Sequence, residues 1–406
     1  MTEPRQEAKP PPEKEAIPLQ KEHAPVEKEY CIGPDHELQT QAYREFTLKL
    51  HEQYGSKQIP GNGTIELIEN CNFRCLHCYQ GQEKHKEILS GQEWMEIAGQ
   101  LEKEGMLWIL LTGGEPLLHP DFIEVYTYLI RKGFLVTLFT NGALFKEEHF
   151  ELLKRYPPFS VEITLYGSSE EMYEKITGTR SSFEKVMATS KRLLTDKIPL
   201  QLKTVVMKPL LDDFWNLAKI ASDLGVRFRF DTKIDPSIYG ESLNHLRMSP
   251  TEKLDLEEAY FGEELIKKDS EYLTSYRNGV AKKRTEAEKE KLYTCGAGKS
   301  SCFIDFRGRV HACIVDRYNE ANYSLKKYSF KEIWNEMIPK IINQKRTKID
   351  AKCASCEVTA LCDTCPALAK LATGDREGRP DYVCEETVER KSRMLKYIVP
   401  KEESHV

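Results

Sequence analysis

Residues 64–80 read TIELIENCNFRCLHCYQ and residues 90–116 read SGQEWMEIAGQLEKEGMLWILLTGGEP. TIELIEN alternates apolar and polar side chains and predicts a strand. Ser90 followed three residues later by Glu93 forms a capping box, and Trp94, Ile97, Ala98 and Leu101 recur on one helical face, so a helix is expected over 90–104. MLWILLT (106–112) is an apolar run of strand length, closed by Gly113 and Gly114. The order strand, cysteine-bearing loop, helix, strand, glycine-bearing loop is one β-α-β unit.

The same alternation continues C-terminally. Helices are expected over 121–131, 147–155, 170–176, 183–195 and 213–224, and strands over 135–139, 161–165, 200–206 and 226–230. Gly133 and Gly225 stop two of the helices. Six β-α units with apolar strands imply a parallel sheet covered by helices. Six is fewer than the eight of a closed (β/α)8 barrel, which leaves an open, partial barrel or a doubly wound sheet. Either places its functional groups in the loops at the C-terminal strand ends.

The chain has 406 residues, with 59 Lys and Arg against 64 Asp and Glu, a net charge of -5. That balance gives no electrostatic reason to expect nucleic acid or an anionic membrane surface. The longest apolar run, Met106 to Leu111, is too short to cross a bilayer. The N-terminus, MTEPRQEAKPPP, has no apolar core, so no secretory signal is expected. These features predict a soluble, cytoplasmic protein. Residues 1–29 are rich in Pro, Lys and Glu and predict a disordered tail, followed by a short helix near 37–54. The expected organisation is tail and helix over 1–60, β-α domain over 61–240, a charged helical bridge over 241–291, and a small cysteine-dense module over 292–406.

Twelve cysteines in a chain of cytosolic type suggest metal or redox chemistry before disulfides. Cys71, Cys75 and Cys78 sit in the first βα loop with C-x3-C-x2-C spacing. A short loop can wrap three thiolates around one iron–sulfur cluster, and three ligands for four irons leave one iron open for chemistry. The alternatives are a zinc site, with His77 able to complete the set, or three reduced thiols.

The Cys71–Cys78 motif resembles the signature of the radical S-adenosylmethionine (radical SAM) superfamily, C-x3-C-x-Φ-C, with His77 at the usually aromatic position and Tyr79 following. The resemblance implies a partial (β/α)6 TIM-like barrel and a [4Fe-4S] cluster whose open iron binds SAM. It also implies reductive cleavage of SAM to a 5′-deoxyadenosyl radical that abstracts a substrate hydrogen. Thr112-Gly113-Gly114-Glu115-Pro116 resembles the family's GGE motif, which binds the SAM amino group. Thr140-Asn141-Gly142 resembles its TNG loop. Thr164 stands where relatives carry a ribose-binding Ser, although this chain reads ITLYG in place of the commoner SLDG. His77, Tyr79, Gly113, Gly114, Glu115, Asn141 and Thr164 are therefore the candidate SAM-binding residues. Gly298-Lys299-Ser300 is not a P-loop, because Tyr293 stands where the first glycine is required.

The remaining cysteines are Cys295-x6-Cys302-x10-Cys313 and Cys353-x2-Cys356-x5-Cys362-x2-Cys365-x18-Cys384, with Cys31 left over. Taken alone, paired C-x2-C spacings serve zinc equally well. Together with Gly308 they resemble the SPASM domain of peptide- and protein-modifying radical SAM enzymes, with two residues instead of three between Cys362 and Cys365. The resemblance implies two auxiliary [4Fe-4S] clusters, one on Cys295, Cys302, Cys313 and Cys365 and one on Cys353, Cys356, Cys362 and Cys384. With the cluster at Cys71, Cys75 and Cys78, three are expected.

The resemblance further implies a thioether or carbon–carbon crosslink on a ribosomal peptide precursor. Reduced flavodoxin or ferredoxin would serve as electron donor. Residues 1–60 are too short and polar for a winged-helix leader-binding module, so the tail, the helix near 37–54 or a separate leader-binding protein would take that role. Formylglycine formation of the anaerobic sulfatase-maturase type is disfavoured, because Cys313 is followed by Ile314 and Asp316 comes two residues later. A small-molecule enzyme of tetrapyrrole or cofactor biosynthesis and a non-enzymatic zinc or electron-transfer protein stay open. Asp316 is the leading candidate for a general base, with Asp231 and Tyr166 also suggested by location.

Overall fold

The computed structural model describes residues 43–80, 88–277, 290–317, 323–348, 351–354, 356, 361–362 and 364–397. The expected tail over 1–29, Cys31 and the start of the helix near 37–54 lie outside the described residues. A first helix, α1 (Tyr43–Lys57), precedes the sheet. Then come β1 (Asn62–Glu66), α2 (Gly91–Lys103), β2 (Trp108–Thr112), α3 (Phe122–Arg131), β3 (Leu135–Thr140), α4 (Glu147–Arg155) and β4 (Ser160–Thr164). They are followed by α5 (Glu170–Thr177), α6 (Phe183–Thr195), β5 (Leu200–Val205), α7 (Phe214–Asp223) and β6 (Arg227–Asp231). The Ser90–Glu93 capping box forms at α2: Glu93 N donates to Ser90 Oγ at 3.3 Å, and Ser90 N donates to Glu93 Oε2 at 2.8 Å.

The six strands pair in parallel in the order β6-β5-β4-β3-β2-β1. Exposure alternates along β2, β3 and β5. Ile65, Ile109, Leu111, Val136, Leu138, Val161, Ile163 and Leu202 are buried beneath the helices. The intervening Thr64, Leu110, Phe139, Thr164 and Lys203 are half-buried, and with exposed Arg229 they line one cavity. Every strand from β1 to β6 thus contributes to a single concave wall, so the sheet curls without closing. Those inner positions tolerate polar residues because they face a cavity, so the alternation read in TIELIEN extends to strands expected from apolar runs.

The C-terminal module enters the same sheet. Beyond α8 (Pro250–Phe261) and α9 (Glu264–Arg277), strand β7 (Ser301–Ile304) pairs in parallel with β1, setting Cys302 opposite Gly63. Strand β8 (Val310–His311) pairs antiparallel with β7. The sequence predicts no strand around Cys302; the free edge of β1 makes Ser301–Ile304 one. Phe330, Ile333, Trp334 and Ile338 join the central core, and Trp334 Nε1 donates to the Gln58 carbonyl at 2.7 Å. Helix Asp381–Met394 docks on α8 and α9 through Arg390, which reaches Glu257 at 2.6 Å and Asp269 at 3.0 Å. Among the described residues no helix is long and apolar enough to cross a membrane.

Candidate active site

The loop after β1 carries Cys71, Cys75 and Cys78, and backbone hydrogen bonds pin it on three sides. Gly114 N donates to the Ile68 carbonyl at 2.7 Å and Glu115 N to the Asn70 carbonyl at 2.9 Å. Arg74 N and Leu76 N donate to the carbonyls of Thr177 and Ile176 at the end of α5, at 2.7 and 3.0 Å. Ile238 N, in the segment after β6, donates to the Tyr79 carbonyl at 2.7 Å. A loop held at both flanks and its exit can present several side chains in fixed relation.

These side chains surround a cavity of about 510 Å³ at the C-terminal strand ends, within the range of small-ligand sites. Nine of the sequence-derived candidates line it: Cys71, Cys75, His77, Cys78, Tyr79, Gly113, Gly114, Asn141 and Thr164. Asp231 and Tyr166 line it as well. Glu115 and Asp316 do not. Glu115 is fully buried behind the wall, where its carboxylate accepts from Thr140 Oγ1 at 2.7 Å and Asn141 N at 2.8 Å. Burial pushes its pKa up to about 7, against those hydrogen bonds. Asp316 is buried away from the cavity, accepting from Tyr293 Oη and from Arg376 Nη2 at 3.0 Å.

Gly113 and Gly114 make room for backbone more than for a ligand. A Cβ on Gly113 would lie 2.5 Å from Ile68 O, and one on Gly114 would lie 2.2 Å from Glu69 O. The glycines let the β2 loop lie directly on the cysteine loop.

The residues suit a thiolate-ligated cluster with a polar ligand beside it. Burial pushes the Cys71 thiol up to about 11 and Cys75 higher still, and the charges of neighbouring groups raise both further. Three thiolates gathered there are stable only with a cationic partner such as cluster iron. Phe73 N and Asn141 Nδ2 point at Cys71 Sγ, at 3.4 and 3.8 Å. His77 Nδ1 is buried with no hydrogen-bond partner. Burial lowers that imidazole to about 4, so the ring is neutral near pH 7 and offers one polar atom to a ligand. Among the described residues no three His, Cys, Asp or Glu side chains are gathered tightly enough to hold a single metal ion.

Sequence reasoning named Asp231 on β6 but missed Lys203 on β5 and Arg229 on β6. Lys203 projects over the Phe139 ring, and Glu162 lies 3.7 Å from Lys203 Nζ and 2.7 Å from Arg229 Nη2. Burial lowers Lys203 to about 7, with Glu162 opposing. The alternation in LQLKTVV and RFRFD was the available signal, since it puts Lys203 and Arg229 on the face opposite Leu202 and Phe228. In the C-terminal module burial raises the Cys313 and Cys365 thiols, and the nearby Cys295 raises both further, while Cys302 is buried on β7.

The sequence model of the radical SAM superfamily matches residues 65–221, and that of an iron–sulfur cluster-binding domain, SPASM, matches residues 295–357. Together they cover more than half of the chain. The chain is 26% identical over 329 residues to the AdoMet-dependent heme synthase of Methanosarcina barkeri, covering 76% of this chain and 92% of that protein. It is 24% identical over 335 residues to the antilisterial bacteriocin subtilosin biosynthesis protein AlbA of Bacillus subtilis, covering 81% and 70%. Its fold is similar to that of Streptococcus suis SuiB bound to precursor peptide SuiA, with a TM-score of 0.65 at 17% identity over 88% of this chain and 84% of that one. A cysteine loop on β1, a glycine loop locked to it and a cysteine-dense module sharing its sheet are thus the parts of one enzyme family, and the chain belongs to the SPASM-containing radical SAM enzymes.

Proposed function

We propose that this enzyme modifies a peptide, making a thioether or carbon–carbon crosslink in a ribosomal precursor. Cys71, Cys75 and Cys78 would hold the SAM-binding [4Fe-4S] cluster. Cys295, Cys302, Cys313 and Cys365 would hold one auxiliary cluster, and Cys353, Cys356, Cys362 and Cys384 the other. When bound, the first cluster and SAM supply one-electron cleavage of the sulfonium and hydrogen-atom abstraction from substrate. This chain's residues orient that chemistry. His77, Tyr79, Gly113, Gly114, Asn141 and Thr164, which line the cavity, would bind SAM, Glu115 stiffens the wall behind Asn141, and Asp231, on the same cavity, would take a proton. The observation that carries the proposal is the convergence of three thiols and the loops after β2 and β3 on one cavity.

A cytoplasmic setting would supply the reduced flavodoxin or ferredoxin. A separate protein or the N-terminal segment would hold the leader. The test is anoxic co-expression with a short peptide encoded beside the gene. Loss of two hydrogens per crosslink supports the proposal. The similarity to a heme synthase favours a second reading, a tetrapyrrole substrate, so the purified enzyme is also incubated with tetrapyrroles. A mass change there, with the peptide unmodified, replaces the first reading by the second.

A further inference from the structure

Arg317 and Glu66 are 251 residues apart in sequence and form a bidentate pair, Nη1 to Oε2 at 2.9 Å and Nη2 to Oε1 at 3.0 Å. Glu66 is fully buried and the Arg317 side chain is 9% exposed. Glu66 ends β1, five residues before Cys71, and Arg317 follows Cys313 by four. The guanidinium lies 4.5 Å from the centre of the Phe303 ring and 5.9 Å from that of Tyr79. Phe303 follows Cys302, and Tyr79 follows Cys78. Gln80 Nε2 donates to the same Glu66 carboxylate, and Arg317 Nε donates to the Ile314 carbonyl at 3.1 Å, folding the 313–317 loop on itself. One cation therefore lies beside the exit of the Cys71–Cys78 loop and residues flanking two cysteines of the C-terminal module.

A buried carboxylate left without its cation is strongly unfavourable, so Glu66 and Arg317 hold their positions together. Displacing the 313–317 loop would withdraw the guanidinium, leave Glu66 uncompensated at the end of β1 and free Tyr79 and Gln80. The coupling has a physical carrier, a discrete ion pair that both loops must share.

We propose that Arg317 is a positioning residue that makes the order of the Cys71–Gln80 loop depend on whether the Cys295–Cys302–Cys313–Cys365 thiol group is loaded. The SAM site is then completed only after its neighbouring auxiliary site is filled. This inference rests on the cluster assignment proposed above.

The test uses the full chain, reconstituted without oxygen, as wild type, C313A, R317M, the double variant C313A/R317M, and R317K. Iron and sulfide are counted first. Hydrogen exchange of peptides covering 67–80 and the KM and kcat for SAM cleavage are then measured. In wild type, C313A is expected to lose one cluster's worth of iron, speed exchange in 67–80 several-fold and raise the KM for SAM. R317M is expected to do the same to exchange and KM while keeping its iron, with kcat little changed. In the double variant C313A should add nothing beyond R317M, and R317K should recover part of the protection.

Should R317M fail to fold, E66Q, which keeps the shape and an acceptor, takes its place in the cycle. Additive effects of C313A and R317M, or unchanged exchange in C313A despite its lost iron, overturn the coupling while leaving the cluster assignment intact. Wild type without labile sulfide overturns both.

Discussion

Gly114→Ala should damage this enzyme far beyond the loss of a flexible residue. The added Cβ would sit 2.2 Å from Glu69 O, 2.4 Å from Asn70 O and 2.6 Å from Asn70 C. All three are backbone atoms and cannot rotate away, so the β2 loop and the cysteine loop must part by about 1 Å to reach ordinary contact. That opening breaks the hydrogen bonds from Gly114 N to Ile68 O and from Glu115 N to Asn70 O. At about 1 kcal/mol for each bond and about 1–3 kcal/mol for overpacking, the expected destabilisation is about 3–5 kcal/mol. Against a typical total of about 5–15 kcal/mol the chain should still fold, with its cysteine loop displaced. Urea unfolding of the iron-free chain reads the stability, and iron and sulfide counts read the loop. Gly55→Ala is the control, because nothing lies within 4 Å of its new Cβ. If G114A matched wild type in urea midpoint and iron content, the packing of the two loops would not be what the glycines serve.

Asp316→Asn should lower stability by about 1–3 kcal/mol, since Arg376 and Tyr293 lose a charged acceptor. SAM cleavage per folded molecule should be unchanged, because Asp316 does not line the cavity; lost turnover in a stably folded D316N would restore it as a candidate base. Asp231→Asn should behave in the opposite way, changing stability by less than about 0.5 kcal/mol and slowing product formation. Lys203 titrates near 7 in the folded chain and near 10.4 when unfolded. Between these values the unfolded state holds the extra proton, so stability rises with pH and is lost as pH falls toward 7. From pH 7 to 9.5 wild type should gain up to about 3 kcal/mol relative to Lys203→Met, by urea unfolding of the iron-free chain. Parallel pH profiles for the two proteins would contradict the burial of a lysine charge on the barrel wall.

The β-α order was legible because each element carries its own local signal. The Ser90–Glu93 box and the spacing of Trp94, Ile97, Ala98 and Leu101 specify α2 without reference to the rest of the chain, and the βα-loop rule then places Cys71, Gly113 and Asn141 at one end of the sheet. Pairings made only by closure of the fold were not legible. Glu66 reads as one more polar residue in an alternating strand, and nothing near it in sequence names Arg317. Ser301–Ile304 is too short to announce itself as a strand until the edge of β1 is available to it. Glu115 was expected to face the ligand from its resemblance to the GGE motif and Asp316 from its location, and both carboxylates are buried against protein partners.

The most direct test of the account is 5′-deoxyadenosine formation by anaerobically reconstituted protein given SAM and dithionite, in wild type and in the triple variant C71A/C75A/C78A. The account predicts deoxyadenosine from wild type and none from the variant, which should retain the iron and sulfide of the C-terminal module. Zinc in place of iron in wild type, or deoxyadenosine from the variant at the wild-type rate, would contradict it.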